Sequence, residues 1–571
     1  MIVRACQERR PAERVQVAER FGKGNVERIG GLWVLHLRGT SFERGLQHGT
    51  LMRYRVRETI NFYRSLPETL AGRALSPGSI KLKALMRLKR GLVSRFTRNR
   101  DSDALEEMRG LAVGLGIREE ELAEALVLAD VFQVVGALAE KKRKAGPPII
   151  PGFGCTSAVR ETPENLFFAR NFDFWGAGYW DANPAIIFHH PDKGKAFCSI
   201  TTAGMPTGGI TSINEDGLAI AVHQHGSLDS SMQGTPIIDI AHSIARNAST
   251  VDEAVELASA KRATGGWTIV VAGAFPRSAA AIEMSSAGQK VRRIQDHLLV
   301  ATNVFRDPGL LEREIQANVS AVISDHARFD RAFELAASPR VSPSRMAGLL
   351  GDHFDILADR ERSAGFSISR ITNLSSVLFS LGDRRFWVSE SPAPASKGGF
   401  VGFDLDAELG GRRSSIDRLE GARPPRAKTT AAQDRYLDAY KQYIYSGDLN
   451  QVHNMVSECV SIDHGETTFH LMEAILRAML GNFKGAMASV DRALELETVT
   501  AKKPVELLWR ARILDLMDRH EESKQIYSAL ADDEATPQLI AKSAARRHRS
   551  PYKEKDLGSV LLDFTNGDTL E

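Results

Sequence analysis

Cysteine is scarce in this chain, with four among 571 residues: Cys6, Cys155, Cys198 and Cys459. They are scattered and form no CxxC pair, which argues against a disulfide framework or a thiolate zinc site. Net charge is almost absent, since 74 basic side chains face 71 acidic ones. No global field therefore favours nucleic acid. No apolar run approaches the length of a spanning helix. The opening MIVRACQERRPAERVQ also lacks the apolar stretch that a secretory signal needs. These absences point to a reducing, cytoplasmic setting with no transmembrane segment. What remains is the composition of a globular protein, 43% hydrophobic and 25% charged. The length exceeds one ordinary domain, so two or three are expected.

Residues 1–30 read as a peripheral lead-in. GLWVLHLRGTSFERGLQHG then reads as a strand from Leu32 to Leu37, a turn at Gly39 and a helix starting near Ser41. Ser41 is placed to accept from the free N–H groups of the first helical turn. Residues 81–100, KLKALMRLKRGLVSRFTRNR, are basic with apolar residues at near-helical spacing. That reads as an amphipathic surface helix, with a membrane-surface or lipid-headgroup role, or an amphipathic or lipid-like substrate, as the functional reading. Residues 104–140 are helical by period and break at Gly114–Gly116, before EKKRKAGPPIIPGFG interrupts the chain with charge, Pro and Gly.

From Cys155 to about Val401 the pattern changes to short apolar runs such as NLFFARNFDF, LAIAVHQH, WTIVVAGAF and SSVLFSL. Two helical patterns interrupt them, near 236–260 and 323–350. Many strands with few helices predict a layered α+β domain rather than alternating βαβ units. Residues 406–433 read as a linker. Beyond it, from 434 to 571, the chain is helical, and Gly447 and Gly481 stand thirty-four residues apart in similar surroundings. That period resembles tetratricopeptide repeats, so an all-α solenoid of two or three repeats is expected, open to a protein partner or to self-association.

GFGCTSAVRETPENLFFARNFDFW, residues 152–175, concentrates the chemistry. A cysteine is a strong nucleophile only as thiolate, so something must take its proton. His223 and His225 could do so in a Cys–His arrangement. Alternatively, cleavage between Gly154 and Cys155 would give Cys155 its own base, because a free α-amine titrates at about pH 8, close to a thiol. A carboxylate must then hold the amine, a cation can favour the thiolate, and a side-chain amide can bind the oxyanion. Asp173, Arg170 and an asparagine are residues of those types. RETPEN is a turn, so 155–159 and 166–173 form a hairpin with Cys155 at its open end. In a regular strand, positions 170 and 173 face opposite sides, so a bulge or strand end is expected there. Cys198 has no activating neighbours and reads as core.

GCTS followed by ARNFD resembles the N-terminal-nucleophile (Ntn) hydrolases that mature by self-cleavage before a cysteine. The likeness is strongest to the penicillin acyltransferase-like peptidase and amidohydrolase family, with bile-salt hydrolases and acid-ceramidase-like lipid amidases more distant. GTSFERGLQHG, EEMRGLAVGLGI, GITSINEDGLAIA, LVATNVF and SISRITNLSSVLFSL resemble successive segments of that family, over residues 31–405. The resemblance implies a four-layer αββα sandwich, with 31–154 as propeptide part and 155–405 as catalytic part. It implies Cys155 as nucleophile and self-cleavage site after Gly154, Asp173 on the new amine and Asn303 as oxyanion donor. Two arginines, Arg170 and Arg370, compete for the place beside the nucleophile. Gln224 falls where some relatives carry Asn, and Val304 replaces the usual His.

The function expected is a self-processed cysteine amidohydrolase or acyltransferase acting on a small linear amide, with no metal or cofactor required. Asn171, Gln224 and Trp175 are candidate substrate contacts, and Trp180 is a candidate pocket wall. Two other readings stay open: a repeat scaffold on an inactive Ntn fold, and a Cys–His peptidase that is not cut before Cys155.

Overall fold

In the computed structural model, described for residues 19–75, 78–142, 154–202, 208–412, 414 and 416–570, two β-sheets lie face to face. The first has ten strands, antiparallel except where Leu32–Gly39 pairs in parallel with Pro184–Pro191. The second has seven, in the order Leu298–Ala301, Gly154–Glu161, Leu166–Asp173, Asn373–Ser380, Arg385–Ser389, Phe400–Asp404 and Ile416–Leu419. The side-chain period of two sorts the second sheet cleanly. Val159, Phe168, Leu299, Val377 and Phe379 face the first sheet and meet Val34, Ile186, Phe188, Ala221 and Val270. Ala158, Phe167, Ala169, Val300 and Leu378 face outward, onto Ala332, Met346 and Leu350 of the helices Val319–Ala336 and Pro343–Leu350. Helices between residues 41 and 142 and between 237 and 259 cover the outer face of the first sheet. The result is a four-layer αββα sandwich. Buried on both faces, its strands read as near-continuous apolar runs, which is how they appeared in the sequence.

Two of the N-terminal motifs meet in one helix–helix contact. Ser41–Leu51 and Ser102–Leu115 cross where Gly45 and Gly49 face Gly110 and Gly114, and a Cβ on any of the four would strike the partner backbone. The first of these helices is capped one residue earlier than expected. Thr40 Oγ1 accepts from the Glu43 N–H (3.2 Å), and Glu43 Oε2 accepts from the Thr40 N–H (2.8 Å). Thr40-x-x-Glu43 has the capping-box spacing, which Ser41 lacks.

Three boundaries differ from expectation. Of the lead-in, residues 19–29 already form two strands of the ten-stranded sheet, Glu19–Phe21 and Gly24–Ile29, while 1–18 lie outside the described residues. The stretch 406–433 is not a free linker: Ile416–Leu419 is the edge strand of the second sheet, and the helix Ala427–Tyr445 begins within it. Beyond that helix, six more follow to Arg549, each packed on the next. Gly447, Gly481 and Asp518 take left-handed backbone at turns between them (φ +72°, +79° and +58°). The chain then turns back as a short hairpin, Leu561–Asp563 with Asp568–Leu570, which helical periodicity gave no reason to expect. The C-terminal helices share one apolar core with those covering the first sheet. Tyr445 packs against Tyr179 and Phe62, and its hydroxyl donates to the Ala177 carbonyl.

Among the described residues no single helix is long and apolar enough to cross a membrane.

Candidate active site

The strand Gly154–Glu161 pairs with Leu166–Asp173 in unbroken antiparallel register, Gly154 opposite Asp173, Cys155 opposite Phe172 and Ser157 opposite Arg170. Of the two features expected there, the strand end is the one present: the strand stops at Asp173 with no bulge in this pair, and a register shift occurs one strand further on, between Asn373 and Ser375. Arg170 and Asp173 therefore stay on opposite faces and reach residue 155 from two sides.

On the inner face, Arg170 Nη2 lies 3.8 Å from Cys155 Sγ and donates to the Val222 carbonyl at 2.7 Å. Both side chains are buried. Burial pushes the Cys155 thiol up, and the Arg170 cation opposes that shift by favouring the thiolate. Beside the sulfur lies an apolar cavity walled by Tyr63, Phe172, Phe174, Trp180, Val222 and Trp267.

On the other side, Asp173 Oδ1 accepts from Asn373 Nδ2 at 2.9 Å, while Oδ2 is buried and has no partner among the described residues. Burial raises the Asp173 carboxyl, and Arg370 and Arg328 pull against that shift. Gly154 is pressed between these groups. A Cβ there would lie 2.8 Å from Asp173 Oδ2 and would collide with Arg370 Nη1. A side chain before this cysteine would have to displace both Arg370 and Asp173.

The edge strand Leu298–Ala301 pairs with the cysteine strand, Ala301 opposite Ser157. Continued two residues, that register brings Asn303 to Cys155. Asn303 Oδ1 accepts the Cys155 N–H at 2.5 Å, and its Nδ2 donates to the Gln224 carbonyl at 2.8 Å. Arg328, fully buried, donates to the Cys155 carbonyl (2.7 Å), to Thr156 Oγ1 (2.8 Å) and to Asn303 Oδ1 (3.3 Å). The peptide unit at Cys155 is thus held on both its N–H and its C=O.

The two histidines do not serve the thiol. His223 Nε2 bonds Ser157 Oγ at 2.8 Å; His225 bonds Thr268 Oγ1 (2.8 Å) and Glu314 Oε1 (3.2 Å) and stacks on Phe305. Burial holds the His223 ring well below its ordinary pKa and lowers His225 to about 4, so both are neutral at pH 7. The Cys–His arrangement has no geometry here. Asn171 also departs from expectation. It lies on the outer face, where Nδ2 donates to the Leu350 carbonyl (2.7 Å) and Oδ1 accepts from Ser376 Oγ (2.7 Å), so it anchors a helix rather than a substrate. Trp175 is buried outside the cavity wall, with its carbonyl accepting from the Tyr63 hydroxyl; Trp180 takes the wall position instead. Gln224 lines the cavity, and its Oε1 is buried without a partner among the described residues. Cys198 is fully buried among apolar side chains, as expected, and Cys6 lies outside the described residues. Among the described residues no cluster of three or more His, Cys, Asp or Glu could hold a metal.

Sequence reasoning missed Arg328, Asn373 and Asn566. Arg328 arrives on the helix Val319–Ala336, and Asn373 begins the strand opposite Asp173. Asn566 comes from the C-terminal hairpin and accepts from Arg370 Nη2 at 2.5 Å. Only Asn373, inside SISRITNLSSVLFSL, stood in a segment with any signal.

Residues 160–391 match the model of the family described as "Acyl-coenzyme A:6-aminopenicillanic acid acyl-transferase". The matched stretch includes Arg170, Asp173, Asn303 and Arg370. A protein of Archaeoglobus fulgidus described as uncharacterized is 24% identical over 272 residues, which span 45% of this chain and 44% of the relative. The chain thus spans less than half the length of that relative. Two crystal structures of variants of conjugated bile acid hydrolase from Clostridium perfringens are also similar, at 12% and 13% identity. Each covers 48% of this chain and 100% or 99% of its own, with TM-scores of 0.29 and 0.28.

Proposed function

We propose that the protein is a self-activating cysteine amidohydrolase or acyltransferase of the Ntn type, acting on a small amide with an apolar acyl group. One observation carries the reading: a buried carboxylate oxygen without a partner among the described residues, Asp173 Oδ2, lies beside the Gly154–Cys155 peptide, while Arg170 lies on the sulfur. A buried unpaired carboxylate is costly unless something fills the place. An ammonium at Cys155 N, present only after cleavage, is a group of the right charge for it.

In self-cleavage, Cys155 Sγ attacks the Gly154 carbonyl carbon. The S–C bond forms, the C–N bond breaks, and the thiol proton passes to the departing nitrogen. Water then hydrolyses the thioester, leaving a carboxylate on Gly154 and returning the proton to sulfur. In turnover the free amine takes the thiol proton, and the thiolate attacks the substrate carbonyl from the cavity side. The tetrahedral oxyanion needs a donor. Asn303 Nδ2, occupied by the Gln224 carbonyl in the uncut chain, supplies one after a small rotation, a contact worth about 3 kcal/mol in the transition state. The amine product leaves with the proton, and water or a second amine resolves the thioester.

The aromatic wall of the cavity supports an apolar acyl group, N-acylated or lipid-like. The C-terminal helices, with their left-handed turns at Gly447 and Gly481 thirty-four residues apart, support tetratricopeptide-like repeats, which would offer a docking or self-association surface. The test is the intact mass, under denaturing conditions, of the parent and of Cys155→Ala. Fragments 1–154 and 155–571 from the parent, with one uncut chain from the variant, support the reading. A single full-length mass from both overturns it.

A further inference from the structure

The C-terminal hairpin ends at the proposed cleavage site. Its turn carries Asn566, whose Oδ1 accepts from Arg370 Nη2 at 2.5 Å and whose Nδ2 donates to Asp563 Oδ2 at 2.6 Å. Asp563 Oδ2 also accepts from Asn318 Nδ2 at 2.9 Å, at the head of the helix that carries Arg328. Asp563 Oδ1 holds the turn itself, accepting the N–H groups of Thr565 (3.1 Å) and Asn566 (3.2 Å). The other guanidinium nitrogen of Arg370, Nη1, lies against Gly154. A continuous path of contacts therefore runs from the hairpin through one arginine to the residue before Cys155.

The hairpin is fixed from its other side. Phe564 packs among Tyr436, Tyr440 and Tyr443 of the helix Ala427–Tyr445, with centroids 5.2, 6.2 and 5.5 Å away. The Leu562 N–H donates to the Tyr443 hydroxyl at 3.1 Å. Gly567 leaves no room for a side chain against Thr468, in left-handed backbone (φ +60°). The turn is thus held to the helical part of the chain while its polar tip enters the sandwich. Asn566 is 5% exposed and Arg370 likewise, so water does not share the contact on equal terms.

We propose that Asn566 is a positioning residue for self-cleavage: it fixes Arg370 so that Nη1 stays against Gly154, and it does so from the C-terminal helical part of the chain. The proposal rests on the self-cleavage reading above. In the attack on the Gly154 carbonyl, negative charge develops on that carbonyl oxygen, and a guanidinium held beside residue 154 is a donor of suitable charge. Without Asn566, Arg370 keeps its charge but loses the acceptor that sets its direction. A misplacement of about 1 Å can cost about a hundredfold in rate.

The experiment is a time course of intact mass for full-length chains made by cell-free synthesis: parent, Asn566→Ala, Thr565→Ala and Cys155→Ala. Thermal midpoints are measured for the uncut chains in the Cys155→Ala background. Thr565 shares the turn, is half-buried, and its side chain does not reach Arg370. Asn566→Ala is expected to cut at least tenfold more slowly than the parent, with Thr565→Ala at the parent's rate and the two midpoints alike. Acetamide, which restores the missing acceptor, is expected to recover part of the rate in Asn566→Ala alone. Parental cutting by Asn566→Ala overturns this proposal and leaves the self-cleavage reading standing. Equal slowing in Thr565→Ala, or slowing that follows the midpoint and ignores acetamide, reduces Asn566 to a structural residue and also overturns it. A parent that stays uncut removes the reading and the proposal together.

Discussion

The two faces of the hairpin 154–173 differ in what surrounds residue 155. The inner face holds Cys155 Sγ, Arg170 and an aromatic cavity. The outer face and the open end hold Gly154, Asp173 and Arg370, with Arg328 on the carbonyl of residue 155. One cation faces the sulfur and two face the peptide. The difference teaches that the paired arginines need not compete for one role. On the proposed reading, Arg170 acts on the thiol and Arg370 on the bond that would break to free the amine. A strand only two side chains deep separates the two tasks, because successive residues point to opposite faces.

The largest effect that tests this division is loss of the sulfur. Cys155→Ala is expected to abolish cleavage and amide turnover together, read by intact mass and by release of amine from an apolar N-acyl amide. Cleavage that survives would move the nucleophile elsewhere. Next is Asp173→Asn, which keeps shape and removes charge. Turnover of the processed enzyme is expected to fall by about a hundredfold or more, since the α-amine loses its counter-charge. A change confined to KM would detach Asp173 from the amine.

Arg170→Met should act on the inner face alone. The thiol, already raised by burial, loses its nearest cation and rises further. Thiolate forms as pH rises, so the acid limb of kcat/KM should move to higher pH, with about a tenfold loss at neutral pH. A profile that drops without moving would mean that Arg170 only packs. The smallest effect on chemistry belongs to Asn171→Ala. Its amide holds the helix Pro343–Leu350, so a loss of about 1–3 kcal/mol in stability is expected with kcat unchanged. Denaturant midpoints and turnover, measured on the same sample, separate these outcomes.

Much of this geometry was legible in the sequence because it is local. The RETPEN turn fixes the register of the hairpin, and the register puts Cys155 at the open end and Asp173 opposite Gly154. Even the opposite facing of positions 170 and 173 was visible, and of the bulge or strand end expected there the strand end is present, at Asp173. No bulge is needed, since thiol and peptide nitrogen lie on different sides of one residue. Asn171, a candidate substrate contact, departs for the same reason: strand parity turns it to the outer face, away from the sulfur. Arg328, Asn373 and Asn566 were not legible, because each reaches the site across a tertiary contact that no spacing encodes. The hairpin after residue 560 was hidden by its brevity, two three-residue strands behind a run of helices.

Asn566 also has a place in time. A ribosome delivers residues in order, and of all the groups that meet around Gly154, this one is made last. On the proposal above, Arg370 would lack the acceptor that sets its direction until that residue has emerged and the helix Ala427–Tyr445 has folded to receive Phe564. A nascent or truncated chain would hold its sulfur, its carboxylate and its glycine with the guanidinium unset. On the proposed reading, self-cleavage would wait until residue 566 has been made and docked.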